Sequence, residues 1–251
     1  MIKKDMLIGI TVFVLIVGGI VGFNIYRRHS AHHALAVRME EFAPRGGGPP
    51  ATIEDLRKAI ALYDEEIQRH VRDASQNANY WRILAMRLQD RGLHADALDA
   101  FARAIELSPE RAVLHHMRGV SAGVMATSSY DNVTSRGDLT MREYYFNLAE
   151  QSYLRAIQLD DDYGRPRFAL GILYVFEMNR AEEAIPLLER FLEIQRNHID
   201  AMFVLGRAYF VTGRYRQALE MYESILRVTR SEQRQIDAQN NIRTILGLLD
   251  G

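Results

Sequence analysis

The stretch ANYWRILAMRLQDRGLHADALDAFARAIELSPER, residues 78–111, decides the fold. Trp81, Leu84, Ala85 and Leu88 recur at the spacing that lines one face of a helix. Gly92 follows in the same register. Ala97, Phe101 and Ala104 then line a second helical face, and Pro109 ends it because proline cannot continue a helix. The small Ala85 and Ala97 let the two helices approach closely, and Phe101 fills the next gap. The stretch is a helical hairpin.

The same register returns downstream at Leu205, Gly206, Tyr209, Gly213, Ala218, Tyr222 and Ile225. Between them, Gly119, Ala149, Tyr153 and Ala156 mark a second hairpin. Leu170, Gly171, Tyr174, Ala184, Leu188 and Phe191 mark a third. A unit of about 34 residues built this way resembles the tetratricopeptide repeat (TPR). The resemblance implies an all-α solenoid with repeats near 78–111, 112–163, 164–198 and 199–230. The second repeat departs from the pattern by a polar insertion, Met125 to Arg142. The third carries one extra residue, read as lying in its turn, with Asn179 as helix terminator. In the fourth, Arg230 replaces the closing proline, so its second helix is expected to run on.

Flanking helices complete the reading. Thr52 and Asp55 resemble a capping box, and Leu56, Ile60, Tyr63, Ile67 and Val71 follow at helical spacing. A capping helix is therefore assigned to 52–77, covering the first repeat. Ile236, Ile242, Ile245 and Leu249 mark a closing helix in 231–251, because a solenoid otherwise exposes its last core face.

Met6 to Tyr26 is a run of twenty-one residues without a charged side chain. At 1.5 Å per residue it spans roughly 30 Å, a hydrocarbon core. Residues 1–28 are read as a short tail plus a single-pass transmembrane anchor, and 29–51 as a juxtamembrane helix ending in a Pro/Gly hinge. No small-x-small cleavage site follows the apolar run. Lys3 and Lys4 favour a cytoplasmic N-terminus, whereas Arg27, Arg28, Arg38 and Arg45 favour the reverse. Long domains cross largely regardless of charge, so the repeats are placed outside the cytoplasm, in a periplasm. A cytosol-facing orientation is the alternative.

The chain has no cysteine and a formal net charge of −1. Disulfides, thiolate-ligated zinc and thiol catalysis are excluded, and electrostatic capture of nucleic acid is not expected. His29 and His33 stand four residues apart, but the reading taken is a solvated helix. No Gly-rich phosphate loop, nucleophile elbow or His-Glu metal motif occurs. No catalytic residue, cofactor or metal is assigned, and the chain is read as a non-enzyme.

The TPR resemblance further implies a concave inner wall built by the first helix of each repeat. Carried over residue by residue, that wall includes Arg82, His116, Val120, Arg165 and Phe168. It continues through Ile172, Val175, Phe176, Phe203, Arg207 and Phe210. The Lys and Asn pair with which chaperone-docking relatives grip a carboxylate is missing, and the wall is apolar over repeats two to four. An amphipathic helix laid into the groove is the natural ligand, with Arg165 and Arg207 holding acidic residues on its rim. Two alternatives stay open: a true partner site, or aromatics packed against the chain's own closing helix or insertion. The whole reads as an anchored scaffold binding a protein or peptide during assembly of a bacterial envelope complex, for secretion, maturation or flagellar-type assembly. A cytosol-facing adaptor and a homo-oligomeric structural protein are the other readings. Homo-oligomerisation has three open routes: the anchor, the groove or a swapped terminal helix.

Overall fold

The computed structural model describes residues 52–128 and 136–249. The expected anchor, the expected juxtamembrane helix with its histidines, and the expected Pro/Gly hinge lie outside the described residues. Among the described residues no helix is long and apolar enough to cross a membrane. The chain divides into two units, Met1–Asp73 and Ala74–Gly251.

The described part of the first unit is the start of helix α1 (Ile53–Asp90). Its N-terminus is capped as the sequence expects. The Asp55 backbone N–H donates to Thr52 Oγ1 at 3.1 Å, and the Thr52 hydroxyl donates to the Asp55 carboxylate at 2.7 Å. Glu54–Lys58 and Glu66–Arg69 pair along the helix at 2.9 and 2.8 Å. Leu56, Ile60, Tyr63, Ile67 and Val71 are all exposed. One difference from the sequence reading is clear: no break separates a capping helix over 52–77 from the first repeat. Ser75, Asn77 and Asn79 are weak helix formers, yet each costs only a few tenths of a kcal/mol. The segment 73–79 contains neither glycine nor proline, so nothing forces a turn.

The second unit is a run of helical hairpins. After the end of α1 come α2 (His94–Leu107), α3 (Ala112–Ser128), α4 (Arg136–Leu159) and α5 (Gly164–Ile172). A π-helical turn, Leu173–Glu177, extends α5; then follow α6 (Ala181–Ile194), α7 (Ile199–Val211), α8 (Tyr215–Val228) and α9 (Glu232–Leu249). No strand occurs among the described residues. From α2 onward each helix packs on the next in chain order, which is the geometry of a solenoid.

The buried residues are those the repeat register selects. Ala85, Ala97, Phe101, Ala104 and Leu114 form the first core cluster. A larger cluster runs from Ala122 to Ile245. The eighth place of each repeat holds Ala85, Gly119, Gly171 or Gly206, and the three glycines lie against Tyr153, Leu188 and Tyr222 of their hairpins' second helices. A Cβ on Gly206 would stand 2.8 Å from the Tyr222 ring, so the close approach of α7 and α8 requires glycine.

Turn chemistry is repeated as well. Gly92 and Gly213 adopt φ of +74° and +76°. Around each, the backbone closes in a Schellman motif: Leu93 N–H donates to Leu88 O, and Arg214 N–H to Tyr209 O. In the third hairpin Asn179, at φ +52°, takes the glycine's place as the helix terminator. The extra residue of that repeat is not in the turn. It is absorbed one turn earlier, where Met178 N–H donates to Leu173 O and the helix widens to the π form.

Much of the 125–142 insertion is helical: α3 continues to Ser128 and α4 is already helical at Arg136, so both helices of that hairpin are long. One further expectation is revised: α8 does not run on past the missing proline. Thr229 is extended at ψ 141°, and the Gln235 side chain donates to its carbonyl at 3.2 Å, which fixes the corner before α9.

Candidate functional site: the inner wall

The first helices of the repeats carry the wall residues, and the structure gives each a distinct environment. Arg82 is half-buried; its Nε donates to Asn79 Oδ1 at 3.2 Å, and Nη1 approaches the Met86 sulfur at 3.2 Å. His116 is buried, with Nδ1 2.7 Å from the Tyr163 hydroxyl. Burial, helped by the nearby Arg165 charge, pushes its pKa down to about 4, so the ring is neutral at physiological pH. It acts as a packed hydrogen-bonding partner of Tyr163. Val120 is half-buried against the larger core.

The aromatic part of the wall divides in two. Phe168 is half-buried, stacked on Phe191 at 5.1 Å and edge-on to His198 at 4.9 Å. Val175 is half-buried against the core. Ile172 and Phe176 remain exposed, Phe176 by 54%. Both lie at or inside the π-turn of repeat three. In repeat four, Phe203 is half-buried, with the Arg234 guanidinium of α9 5.6 Å from its ring centroid. Arg234 is in turn held by Asp200 at 2.5 Å. Phe210 packs on Tyr215 at 5.8 Å and lies under Arg207 at 5.4 Å. Arg165 and Arg207 are exposed and have no carboxylate partner among the described residues.

A concavity of about 520 Å³ opens at the other end of the wall, lined by Asn79, Arg82, Arg111, Val113, Asp160 and Tyr163. Sequence reasoning assigns Arg82 to the wall but misses Arg111, Asp160 and Tyr163. These three sit in the connections before repeats two and three, where a residue's aim depends on turn geometry. Asp160 Oδ1 accepts the N–H groups of Asp162 and Tyr163 at 3.2 and 3.1 Å, which fixes Tyr163 against His116.

Hairpins two and three are clamped by one network that no spacing announces. Arg180 pairs with Glu150 at 2.7 Å and Glu183 at 2.6 Å, and stacks 4.3 Å over the Tyr174 ring. Tyr174 donates to the same Glu150 at 2.6 Å. The hydrogen bond from Arg180 lowers the Glu183 pKa, while Tyr174 is raised by burial and by the Glu150 acceptor. Among the described residues no group of three metal-binding side chains converges.

Ordered hairpins packed in chain order and a closing helix define an α-solenoid of the repeat type. The tetratricopeptide-repeat family models match residues 52–112 and 175–242. The chain carries tetratricopeptide repeats. It is 23% identical over 199 residues to a TPR repeat-containing protein of Borreliella burgdorferi, covering 79% of this chain and 84% of that one. Among solved structures it is similar to MamA, at 22% identity and TM-score 0.50, covering 70% of this chain and 94% of that one. It is also similar to a thermophilic TPR protein of Thermus thermophilus, at 16% identity and TM-score 0.51, with 75% and 89% covered. At such identities the likeness is one of fold.

Proposed function

We propose that the protein is a non-enzymatic docking scaffold whose inner wall holds an amphipathic helix of a partner protein, apolar on one face and acidic at its rim. The observation that carries this reading is the pairing of exposed apolar side chains at repeat three, Ile172 and Phe176, with Arg165 and Arg207 on the same series of first helices, which have no carboxylate partner among the described residues. Large exposed apolar groups rimmed by charge mark interaction surfaces, and helix-in-groove recognition uses anchors at helical spacing. The apolar run Met6–Tyr26 supports a membrane tether; in this proposal the repeats lie outside the cytoplasm and serve assembly of an envelope complex.

The tests are separable. Wild-type protein and Phe176→Asp, each with matching far-UV helicity, are crosslinked in intact cells and purified. A partner retained by wild type and lost by Phe176→Asp supports the wall as the docking site; equal capture removes it. Deleting residues 6–26 is expected to move the chain from the membrane to the soluble fraction. A reporter fused after Gly251 distinguishes the two orientations.

A second reading has one specific observation in its favour. Arg234, tied to Asp200, lies over Phe203, so the closing helix itself supplies cover at repeat four. The self-filled groove therefore applies to that end of the wall, and Phe176 rather than Phe203 is the diagnostic position.

A further inference from the structure

Two departures from the repeat register meet in the second hairpin. The seventh place of each repeat holds Leu84, Arg118, Leu170 or Leu205. Leu170 and Leu205 are 0% and 1% exposed, so repeat two puts an arginine where the register puts a core leucine. The second departure is in α4. The second helices α2, α6 and α8 begin at His94, Ala181 and Tyr215, just ahead of the register alanines Ala97, Ala184 and Ala218. Helix α4 begins at Arg136, several turns ahead of Ala149. Tyr144 and Tyr145 therefore stand on helix that the other hairpins lack.

These residues share a concavity of about 360 Å³. Leu98 and Asp99 of α2 line one side, Tyr144, Tyr145 and Leu148 of α4 the other, and Arg118 of α3 completes it. None of the inner-wall residues takes part. Arg118 is half-buried. Its Nε donates to Ser152 Oγ at 3.0 Å, and the buried Ser152 hydroxyl donates to Leu148 O at 2.6 Å. The guanidinium is thus fixed by its Nε, and Nη1 and Nη2 have no hydrogen-bond partner among the described residues. Burial lowers the Arg118 pKa, and no carboxylate opposes that shift. Asp99 is exposed and forms no ion pair with Arg118. A cation drawn out of water without a counter-charge costs free energy. Leucine serves the fold at this place in three repeats, and local rules are broken chiefly at functional sites.

We propose that this cavity binds an acidic side chain of a partner protein, whose carboxylate meets Nη1 and Nη2 of Arg118 while an adjoining apolar residue packs on Tyr144 and Tyr145. Two parallel N–H groups match two carboxylate oxygens. Tyr144 is 56% exposed and edge-on to Tyr145 at 5.2 Å, which offers aromatic area to a neighbouring side chain. Asp99 on the facing side disfavours a second acidic group. The site goes beyond the inner wall and stands independently of it.

The test uses full-length protein carrying 3-fluorotyrosine, purified in detergent, with Tyr144→Phe and Tyr145→Phe assigning the two fluorine signals. The probes are acetyl-Glu-Phe-amide, acetyl-Gln-Phe-amide and acetyl-Gln-Phe with a free terminal carboxylate. Saturable shifts of both signals by the Glu probe are expected, with affinity for the amidated Gln probe weaker by about ten-fold or more. Arg118→Leu is expected to abolish the response while melting no lower than wild type, because leucine is the register residue. Phe176→Asp is expected to leave the response unchanged. No shift with the Glu probe, or an equal shift with amidated Gln, overturns the proposal. So does a response confined to the terminal carboxylate, or one lost in Phe176→Asp. A lowered melting temperature of Arg118→Leu with an undiminished response would make Arg118 a structural residue only.

Discussion

His116 and Gly206 show how much single positions carry. His116 is neutral in the folded protein because its pKa falls from 6.5 to about 4. In the unfolded chain it gains a proton as pH drops through 6.5, so between pH 6.5 and 4 the unfolded state binds more protons. Stability contributed by the neutral ring is thus full above pH 6.5 and lost as pH falls toward 4, by up to about 3 kcal/mol. Thermal melts of wild type and His116→Asn across this range are expected to converge toward acid pH, with the wild type losing more. Gly206→Ala is expected to cost about 1–3 kcal/mol, because the new methyl meets the Tyr222 ring within a packed core. Urea titration measures it. Both glycine and tyrosine are legible in the sequence, since position eight and its opposing large residue recur in every hairpin. The His116–Tyr163 bond is not, because Tyr163 is aimed by a turn that Asp160 holds.

Elements follow the sequence where a residue type enforces a shape and depart from it where none does. Gly92 and Gly213 end helices by left-handed geometry, and those turns are readable. The junction at 73–79 has only weak helix formers, and the helix continues. The third hairpin must place one extra residue, and spacing alone cannot say whether it enters the turn or the helix. The π-turn Leu173–Glu177 takes it, leaving Asn179 to close the helix at positive φ. Asn179→Gly is expected to be neutral or stabilising by up to about 1 kcal/mol, and Asn179→Val to destabilise by about 1–2 kcal/mol, since a β-branched residue tolerates that conformation poorly. Chemical denaturation of both variants checks the order. The insertion in repeat two shows the same limit: its polar composition does not announce a helix, yet residues 136–142 belong to α4.

At the scale of the whole molecule, repeated hairpins present side chains that they do not themselves satisfy. The register places the apolar stretch over repeats two to four. It does not reveal that Arg234 of the closing helix reaches Phe203, because that contact depends on a long side chain crossing between elements. What remains exposed is Ile172 and Phe176 with the cations Arg165 and Arg207, and a partner with an acidic amphipathic helix fits that chemistry. Arg165→Glu is expected to weaken capture of such a partner several-fold and to steepen the loss at low salt, where charge repulsion is least screened; binding measured at two ionic strengths checks it. The most direct test is photocrosslinking in cells from an unnatural amino acid placed at Phe176, compared with the same probe at the exposed Arg103 of α2. A discrete adduct from position 176 that is absent from position 103 is the predicted result. Identical adducts at both positions, or none at 176 in a correctly folded protein, would contradict docking on the inner wall.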